Sequence, residues 1–193
     1  MNYVEYGKEN KYDDDIFFQK YSQMSRSQQG LAGAGEWETL RKLLPDFKDK
    51  RVLDLGCGYG WHCIYAMEHG ASSVVGVDIS HKMLEVAKEK THFPQVEYKC
   101  CAIEDVEFPE ESFDVILSSL AFHYVADYEI LVKKIYRILK SGGKLVFTVE
   151  HPVFTAYGTQ DWYYNEKGEI LHFPVDNYCL LYTSPSPRDP KTS

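Results

Sequence analysis

Three glycines alternate along one short segment that follows an apolar run. The segment reads Val52-Leu53-Asp54-Leu55-Gly56-Cys57-Gly58-Tyr59-Gly60. Glycine allows a sharp turn and lets a ligand approach the backbone at positions where a Cβ atom would collide with it. A helix is predicted to follow Gly60, and the N–H groups at its start favour a negatively charged ligand group. The segment therefore predicts a binding site for a small charged ligand at the end of a strand.

The glycine spacing distinguishes two classes of ligand. In the dinucleotide-binding fingerprint, glycines stand at the first, third and sixth positions, which here are Gly56, Gly58 and Trp61. The third glycine of that fingerprint permits close packing of the helix on the strand, so Trp61 argues against a nicotinamide or flavin cofactor. An NAD(P)-dependent oxidoreductase stays open as an alternative function, and a non-catalytic cofactor-binding module is another.

A second acidic position lies at the end of the next predicted strand. The run Val74-Val75-Gly76-Val77-Asp78 is apolar up to its final carboxylate. Such a carboxylate accepts hydrogen bonds from both hydroxyl groups of a ribose. The alternative role is a helix cap, but Ser80 already suits that position. We therefore predict that Asp78 binds the sugar of the ligand.

The elements that position these residues alternate between short apolar runs and helical patterns. This alternation predicts an α/β protein with a Rossmann-like open parallel sheet and helices on both faces. Predicted strands cover Arg51–Leu55, Ser73–Asp78, Gln95–Cys100, Phe113–Ser118 and Lys144–Glu150. Predicted helices lie near Asp14–Met24, near Gly35–Leu44, over Gly60–His69, after Ser80, and from Asp127 to the turn Ser141-Gly142-Gly143.

Together these motifs resemble class I S-adenosylmethionine-dependent methyltransferases, in the small-molecule branch that includes ubiquinone- and menaquinone-biosynthesis enzymes. The resemblance covers about residues 45–150. It includes Asp54 to Gly60, Asp78, Phe113-Asp114-Val115-Ile116, Ala121-Phe122-His123-Tyr124 and Leu139-Lys140-Ser141-Gly142-Gly143. It implies methyl transfer from S-adenosylmethionine, and a seven-stranded sheet that ends in an antiparallel pair. Since we predict only five strands before Tyr178, we expect the last helix and the antiparallel strands to be missing.

The resemblance also assigns residues to the parts of the cofactor. The methionine portion is expected to contact Asp54, Gly56, Gly58 and Gly60, and the ribose is expected to contact Asp78. Ile79 and Ser118 are further residues expected to bind the cofactor. Residues 102–105 are expected to flank the adenine. Relatives often carry Asp-Ala before the acidic pair there, but this sequence reads Ala102-Ile103-Glu104-Asp105. Because Ala102 cannot accept a hydrogen bond from the adenine amino group, the Ile103 backbone and the Glu104 side chain are the candidates for this contact. The alternative is that Glu104 and Asp105 are solvated charges of a loop.

The segment after the fourth predicted strand bears on the methyl acceptor. Enzymes of this class that methylate base amino groups usually carry Asn/Asp-Pro-Pro-Tyr there, whereas this sequence reads Ser118-Ser119-Leu120-Ala121-Phe122. The net charge of −8 also opposes binding to a phosphate backbone. We therefore expect a small-molecule substrate with an oxygen, sulfur or carbon nucleophile, and no nucleic acid.

Two histidines follow strands at the edge where the site should open. An unperturbed imidazole titrates near ~6.5, so His123 and His151 are candidate general bases. A structural or cofactor-pocket role for His123 is equally open, and His151 has an alternative role in fixing the turn after the fifth strand. We expect the remaining histidines to be solvated: His62, His69, His81 and His92.

Aromatic residues flank the predicted core on both sides. They are Tyr12, Phe17, Phe18 and Tyr21 before it, and Phe154, Tyr157, Trp162, Tyr163 and Tyr164 after it. They suit a lid over the substrate, although packing on the sheet is the commoner outcome for such residues. The polar run from Ser25 to Gly30 is expected to be a solvated loop, with Arg26 near the cofactor carboxylate as the alternative.

The chain divides by composition into three parts. Residues 1–44 are expected to form a helical cap, residues 45–178 a truncated cofactor-binding core, and residues 179–193 a tail. The stretch Cys179 to Asp189 resembles one reading frame of a transposase-type sequencing adapter, so we expect this tail to be non-native. No metal site is predicted, and the cysteine spacing suggests reduced thiols. With no apolar run of membrane length, a cytoplasmic location is expected, while the oligomeric state is left open.

Overall fold

The structure, a computed structural model, describes residues 10–151, 153 and 161–175. The chain divides into two compact units, Met1–Thr148 and Val149–Ser193, which are described separately. In the described residues, strands run over β1 (Arg51–Leu55), β2 (Ser73–Asp78), β3 (Val96–Cys100), β4 (Phe113–Ser119), β5 (Leu139–Thr148), β6 (Tyr163–Tyr164) and β7 (Ile170–His172). The α-helices are α1 (Asp15–Ser22), α2 (Ser25–Gln29), α3 (Trp37–Leu43), α4 (Trp61–Glu68), α5 (His81–Lys90) and α6 (Tyr128–Ile138).

The first unit contains a parallel sheet in the order β3-β2-β1-β4-β5. Strand β1 lies in the middle, where Leu55 pairs with Val77 of β2 and Asp54 with Leu117 of β4. The strand order reverses between β1 and β4, and ligands of such sheets bind outside the carboxyl ends of the strands at that point. The Rossmann-like parallel sheet predicted from the sequence is confirmed.

Apolar side chains from both faces of this sheet form two core clusters. Strand β1 contributes Leu53 and Leu55 to one cluster and Val52 to the other, as expected for a strand buried on both faces. Helix α6 packs into the first cluster through Leu131, Ile135 and Ile138. Helices α4 and α5 pack into the second through Cys63, Ala66 and Leu84. The helices therefore cover both faces, as predicted.

The transition from α6 to β5 differs from the sequence-based prediction. Helix α6 ends at Ile138 and β5 begins at Leu139, so the turn at residues 141–143 lies inside the strand and not at the helix end. The β4–β5 register passes from the pair Phe113–Leu139 directly to the pair Val115–Lys144. The extra residues of β5 form an irregularity in which Gly142 has a φ of 76°.

The N-terminal segment, residues 10–36, contains one more α-helix than predicted. Helix α1 was expected, and Asp14 caps it by accepting a hydrogen bond from the Phe17 N–H at 2.9 Å. The run predicted to be a solvated loop instead forms α2. Within it the buried Ser27 hydroxyl donates to the Tyr21 carbonyl at 2.7 Å. This buried hydrogen bond holds α2 against the end of α1.

Hydrogen bonds join the N-terminal segment to the start of α5. The Asp13 carboxylate accepts from the Ser80 hydroxyl at 2.6 Å and from the Lys82 N–H at 3.1 Å. The Asn10 amide donates to Asp13 at 2.6 Å and to the Ile79 carbonyl at 3.3 Å. Two polar side chains therefore hold this segment beside the end of β2.

Aromatic rings of the N-terminal segment pack against one another and on residue Tyr59. The Tyr12 ring meets Phe17 and Tyr21 edge to face, at centroid distances of 5.1 and 5.4 Å. Tyr21 meets Tyr59 at 5.7 Å, and Phe18 meets Tyr59 at 6.1 Å. These rings therefore pack on one another and on Tyr59, and Tyr21 also lines a cleft. A lid over the substrate stays a prediction.

The second unit holds a two-stranded antiparallel sheet that was not predicted. Strands β6 and β7 pair through Tyr163 with His172 and Tyr164 with Ile170. The Asn165 side-chain oxygen accepts from the N–H groups of Lys167 and Glu169 at 2.9 Å, which closes the connecting turn. The predicted tail, residues 179–193, lies outside the described residues, as do Phe154 and Tyr157. Within the described ranges no helix is both long and apolar enough to cross a membrane.

Replacing the carboxylate that joins the N-terminal segment to α5 tests this connection. We expect Asp13→Ala to raise amide hydrogen exchange in residues 10–22 at least ten-fold, because each charge-assisted hydrogen bond that it removes contributes about 1.5–3 kcal/mol when well formed. Helix α5 should persist, since Ser80 still accepts from the Met83 N–H at 3.1 Å. Asp15→Ala is the matched control, because that carboxylate is exposed and pairs with Lys82 at the surface. Equal exchange in both variants would contradict this account.

Candidate cofactor site

The glycine loop, residues 56–60, connects β1 to α4 with three backbone positions at positive φ. Gly56, Gly58 and Gly60 have φ angles of 78°, 51° and 74°. A Cβ atom at Gly56 would lie 2.4 Å from that of Ala121, and one at Gly60 would lie 2.1 Å from the Tyr98 hydroxyl. A Cβ atom at Gly58 would meet nothing within 4 Å. The outer glycines are therefore required by packing, whereas Gly58 leaves open space at the position where a ligand would approach.

The Asp78 carboxylate links this loop to the start of α5. One oxygen accepts from the Gly58 N–H at 2.8 Å and the other from the Ser80 N–H at 2.9 Å. The helix cap is Ser80, as predicted, and burial raises the pKa of Asp78. Each carboxylate oxygen has a further lone pair, so both can also accept a ribose hydroxyl. This placement fits the predicted sugar contact.

A second carboxylate, Asp54, is buried beneath the loop. Its side chain is 1% exposed, and its Oδ2 atom accepts a weak hydrogen bond from the Cys63 thiol at 3.5 Å. Its Oδ1 atom has no hydrogen-bond partner within the described residues. Burial raises the pKa of Asp54 to about 7. A buried carboxylate with an unsatisfied oxygen is costly and typical of functional sites, and a cationic ammonium group of the ligand would satisfy it.

A cleft opens between the glycine loop, the first turn of α4 and the N-terminal segment. Arg26 and Glu36 face each other within it as an ion pair, with side-chain exposures of 18% and 23%. The Ser119 hydroxyl, at the end of β4, donates to Glu36 at 3.3 Å. The prediction that Arg26 lies on a solvated loop is therefore wrong. Glu36 was missed, because its contact to Ser119 leaves no local sequence pattern.

The first turn of α4 also lines this cleft. The prediction that His62 is solvated is wrong, since its ring lies 5.8 Å from that of Trp37 and burial lowers its pKa to about 4. Trp61 occupies the space beside Gly30, where a Cβ atom would come within 3.1 Å of the indole. The indole therefore packs beside the N-terminal segment, and this contact does not test the predicted effect of Trp61 on dinucleotide binding.

The residues expected to flank the adenine form a short 3-10 turn after β3, from Ile103 to Asp105. The Ile103 side chain reaches the glycine loop, since its Cδ1 atom lies 3.5 Å from the Cβ position at Gly56. The Glu104 carbonyl accepts from the Lys134 ammonium at 2.6 Å. Ile79 directly follows Asp78 at the end of β2. These residues lie at the same edge of the sheet as the loop, and their cofactor contacts stay predictions.

Ser118 occupies a different kind of position. Its hydroxyl is buried at the end of β4 and donates to the Leu55 carbonyl at 2.8 Å. This bond joins the ends of β4 and β1 directly beside the glycine loop. A contact of Ser118 with the cofactor likewise stays a prediction.

The two candidate general bases belong to different units of the chain. His123 lies in the 3-10 turn Phe122–Tyr124 that follows β4, and its ring centroid is 4.3 Å from that of Tyr124. His151 is exposed in the second unit, where its Nδ1 atom accepts from the Val153 N–H at 3.2 Å. That bond fits the turn-fixing alternative for His151. Catalysis by either residue stays a prediction. The described residues contain no cluster of potential metal ligands.

Alanine substitutions at Gly58 and Gly60 test whether the first glycine leaves space for the ligand and the second is required by packing. Both positions have similar positive φ, so each substitution costs about 1–2 kcal/mol of backbone strain. We expect Gly58→Ala to add little further destabilisation but to weaken cofactor binding at least ten-fold. Gly60→Ala should cost about 1–3 kcal/mol more, because its methyl group collides with Tyr98. Urea unfolding and calorimetric titration measure the two effects, and equal profiles for both variants would contradict the assignment.

We expect the buried Asp54 carboxylate to lower the stability of the free protein and to raise its affinity for the cofactor. The folded-state pKa of Asp54, about 7, lies above the usual value of an aspartate, so folding favours the protonated form and this stabilisation is lost as pH rises toward 7. We expect Asp54→Asn to raise the free energy of unfolding at pH 8 by about 1–3 kcal/mol, and by less at pH 5. The same variant should lose cofactor affinity, and wild-type affinity should fall below pH 7. An unchanged melting temperature at pH 8 would contradict this expectation.

The chain is similar in sequence to known methyltransferases. A methyltransferase domain model matches residues 53–147. An uncharacterized protein of Haemophilus influenzae is 37% identical over 180 residues, which are 86% of this chain and 68% of that protein. The ubiquinone biosynthesis O-methyltransferase of Coxiella burnetii is 36% identical over 112 residues, which are 57% of this chain and 47% of that enzyme. The chain thus spans about half the length of the Coxiella enzyme.

Solved structures agree with the fold. A putative S-adenosylmethionine-dependent methyltransferase from Listeria monocytogenes is 58% identical, with a TM-score of 0.71 over 75% of this chain and 68% of that one. An S-adenosylmethionine-dependent methyltransferase from Mesorhizobium loti is 40% identical, with a TM-score of 0.70 over 78% of this chain and 68% of that one. These matches favour the methyl donor over the nicotinamide alternative. The chain belongs to the class I S-adenosylmethionine-dependent methyltransferase family, and its cofactor is S-adenosylmethionine.

Proposed function

We propose that this protein transfers the methyl group to an oxygen, sulfur or carbon nucleophile of a small molecule. The observation that carries the proposal is the turn after β4. Its Leu120 N–H donates to the Thr148 carbonyl at 2.9 Å and to the Thr148 hydroxyl at 3.1 Å, while the Ser119 hydroxyl lies 3.2 Å from that hydroxyl. The turn therefore directs its polar groups to the end of β5, and it carries neither the acidic or amide side chain nor the prolines of the motif that is usual in enzymes that methylate base amino groups.

The backbone of this turn is also constrained in a way that suits a functional site. Leu120 has a φ of 53°, which is uncommon for a residue other than glycine. The next residue, Ala121, packs against Gly56 of the glycine loop. Strained positions of this kind cost about 1–3 kcal/mol and persist where the surrounding structure holds them. The cofactor loop and the proposed acceptor side thus share one rigid contact.

Charge and relatives support a small acceptor. The net charge of −8 opposes phosphate-backbone binding. The Coxiella relative is named as an O-methyltransferase of ubiquinone biosynthesis, which favours an oxygen nucleophile, although the chain matches only 47% of that enzyme. The free thiols among the described cysteines, such as the buried Cys57 and Cys63, are in keeping with the cytoplasm, which we propose as the location.

In the proposed reaction the protein binds the cofactor and the methyl acceptor and orients them. S-adenosylmethionine, when bound, supplies a methyl group on a sulfonium, which is transferred by in-line displacement. The Asp78 carboxylate would hold the ribose and Asp54 the ammonium group. We assign His123 as the base that removes a proton from an oxygen acceptor, because it follows β4 at the edge of the sheet where the cofactor binds.

Product analysis with a labelled methyl donor tests this function. We expect label in phenolic, thiol or activated-carbon acceptors, and none in DNA or RNA, because the β4 turn and the negative charge disfavour nucleic acid. Gly58→Ala is the inactive control, and His123→Ala should lower turnover of an oxygen acceptor about 100-fold or more without weakening cofactor binding. Label in nucleic acid would contradict the proposal. Tight cofactor binding without turnover of any acceptor would favour the non-catalytic alternative.

A further inference from the structure

Four backbone N–H groups of the glycine loop, those of Gly56, Cys57, Gly58 and Gly60, already have acceptors within the protein. The N–H groups of Gly56 and Cys57 donate to the Val77 carbonyl at 2.8 and 2.9 Å. The Gly58 N–H donates to Asp78, and the Gly60 N–H donates to the Cys57 carbonyl at 2.9 Å. These four groups are therefore not free for an anionic ligand group, which would gain from a further donor in the cleft.

The side chain that meets this need is Arg26. Among the residues that line the cleft it is the cation at neutral pH, since burial lowers the pKa of His62 to about 4 and leaves that ring neutral. A guanidinium presents five N–H donors in a planar fork, so the hydrogen bond to one Glu36 oxygen does not exhaust them. Arg26 thus combines a partly buried positive charge with donors that suit a second carboxylate.

Glu36 holds Arg26 from the opposite side. Its Oε1 atom accepts from both Arg26 and Ser119, so one oxygen joins the N-terminal segment to the end of β4. Although burial opposes ionisation, the hydrogen bonds and the Arg26 charge keep the pKa of Glu36 below its usual value. The pair is therefore ionised and oriented before any ligand arrives, which lowers the cost of ordering Arg26 on binding.

We propose that Arg26 binds the carboxylate of the methionine portion of the cofactor, and that Glu36 is a positioning residue that orients the Arg26 guanidinium. The proposal rests on the cofactor being S-adenosylmethionine. A ligand carboxylate placed beside Gly58 would form a bidentate, charge-assisted pair with the Arg26 guanidinium, which lines the same cleft. The N-terminal segment then contributes to affinity directly, in addition to covering the loop.

Two ligands that differ in one chemical group test this role. S-adenosylhomocysteine carries the amino-acid end, whereas 5′-methylthioadenosine keeps the adenosyl thioether and lacks that end. We expect Arg26→Gln to weaken S-adenosylhomocysteine binding about 10- to 100-fold in calorimetry while leaving methylthioadenosine unchanged. Arg26→Lys should lose less, because it keeps the charge but not the fork. Glu36→Gln should weaken only S-adenosylhomocysteine, by several-fold, and neither variant should alter the methylthioadenosine affinity.

The matched control is Arg41→Gln, which removes an exposed Arg–Glu pair on α3 and should change neither affinity. Circular dichroism of each variant verifies that it is folded. If Arg26→Gln does not fold, Arg26→Lys serves in its place, because it keeps the positive charge. Equal weakening of both ligands by Arg26→Gln would show a purely structural ion pair and overturn the proposal, as would no change for either ligand. Wild-type protein that binds methylthioadenosine but not S-adenosylhomocysteine would also overturn it, while failure to bind either ligand would contradict the cofactor assignment itself.

Discussion

The hydrogen bond from the Gly58 N–H to the Asp78 carboxylate fixes the geometry on which the site depends. It joins the loop after β1 to the end of β2, and the other carboxylate oxygen holds the start of α5. The parallel register places these strand ends side by side, with Leu55 opposite Val77. The same carboxylate that would receive a ribose therefore also shapes the loop that would receive the rest of the ligand.

Burial makes this arrangement costly for the protein without its cofactor. Burial raises the pKa of both carboxylates, Asp54 and Asp78, and the Asp78 charge raises the pKa of Asp54 further. Asp54 also keeps an unsatisfied oxygen among the described residues. A ligand with a cationic amino group and two sugar hydroxyls relieves both costs at once. The site is thus less stable when empty than its packing alone would suggest, and that cost is recovered on binding.

Local patterns in the sequence predicted the sheet, the Ser80 cap and the position of Asp78, because alternating apolar runs and strand-end residues act over short distances. The distinct roles of the glycines could not be predicted. Gly56 and Gly60 are required by Ala121 and Tyr98, which meet them only in the folded chain. The Glu36–Ser119 contact and the burial of His62 were missed for the same reason. The β6–β7 turn did have a local signal, the Asn165 to Gly168 stretch between aromatic and apolar residues, which was overlooked.

We expect the adenosyl cofactor to lie across Gly58 with its sugar on Asp78. A crystal structure of the protein with S-adenosylhomocysteine tests it most directly. The account predicts both ribose hydroxyls within hydrogen-bonding distance of the Asp78 carboxylate and the thioether chain in contact with the Gly58 backbone. A ligand whose ribose is held by another group, or which leaves the space beside Gly58 empty, would contradict it.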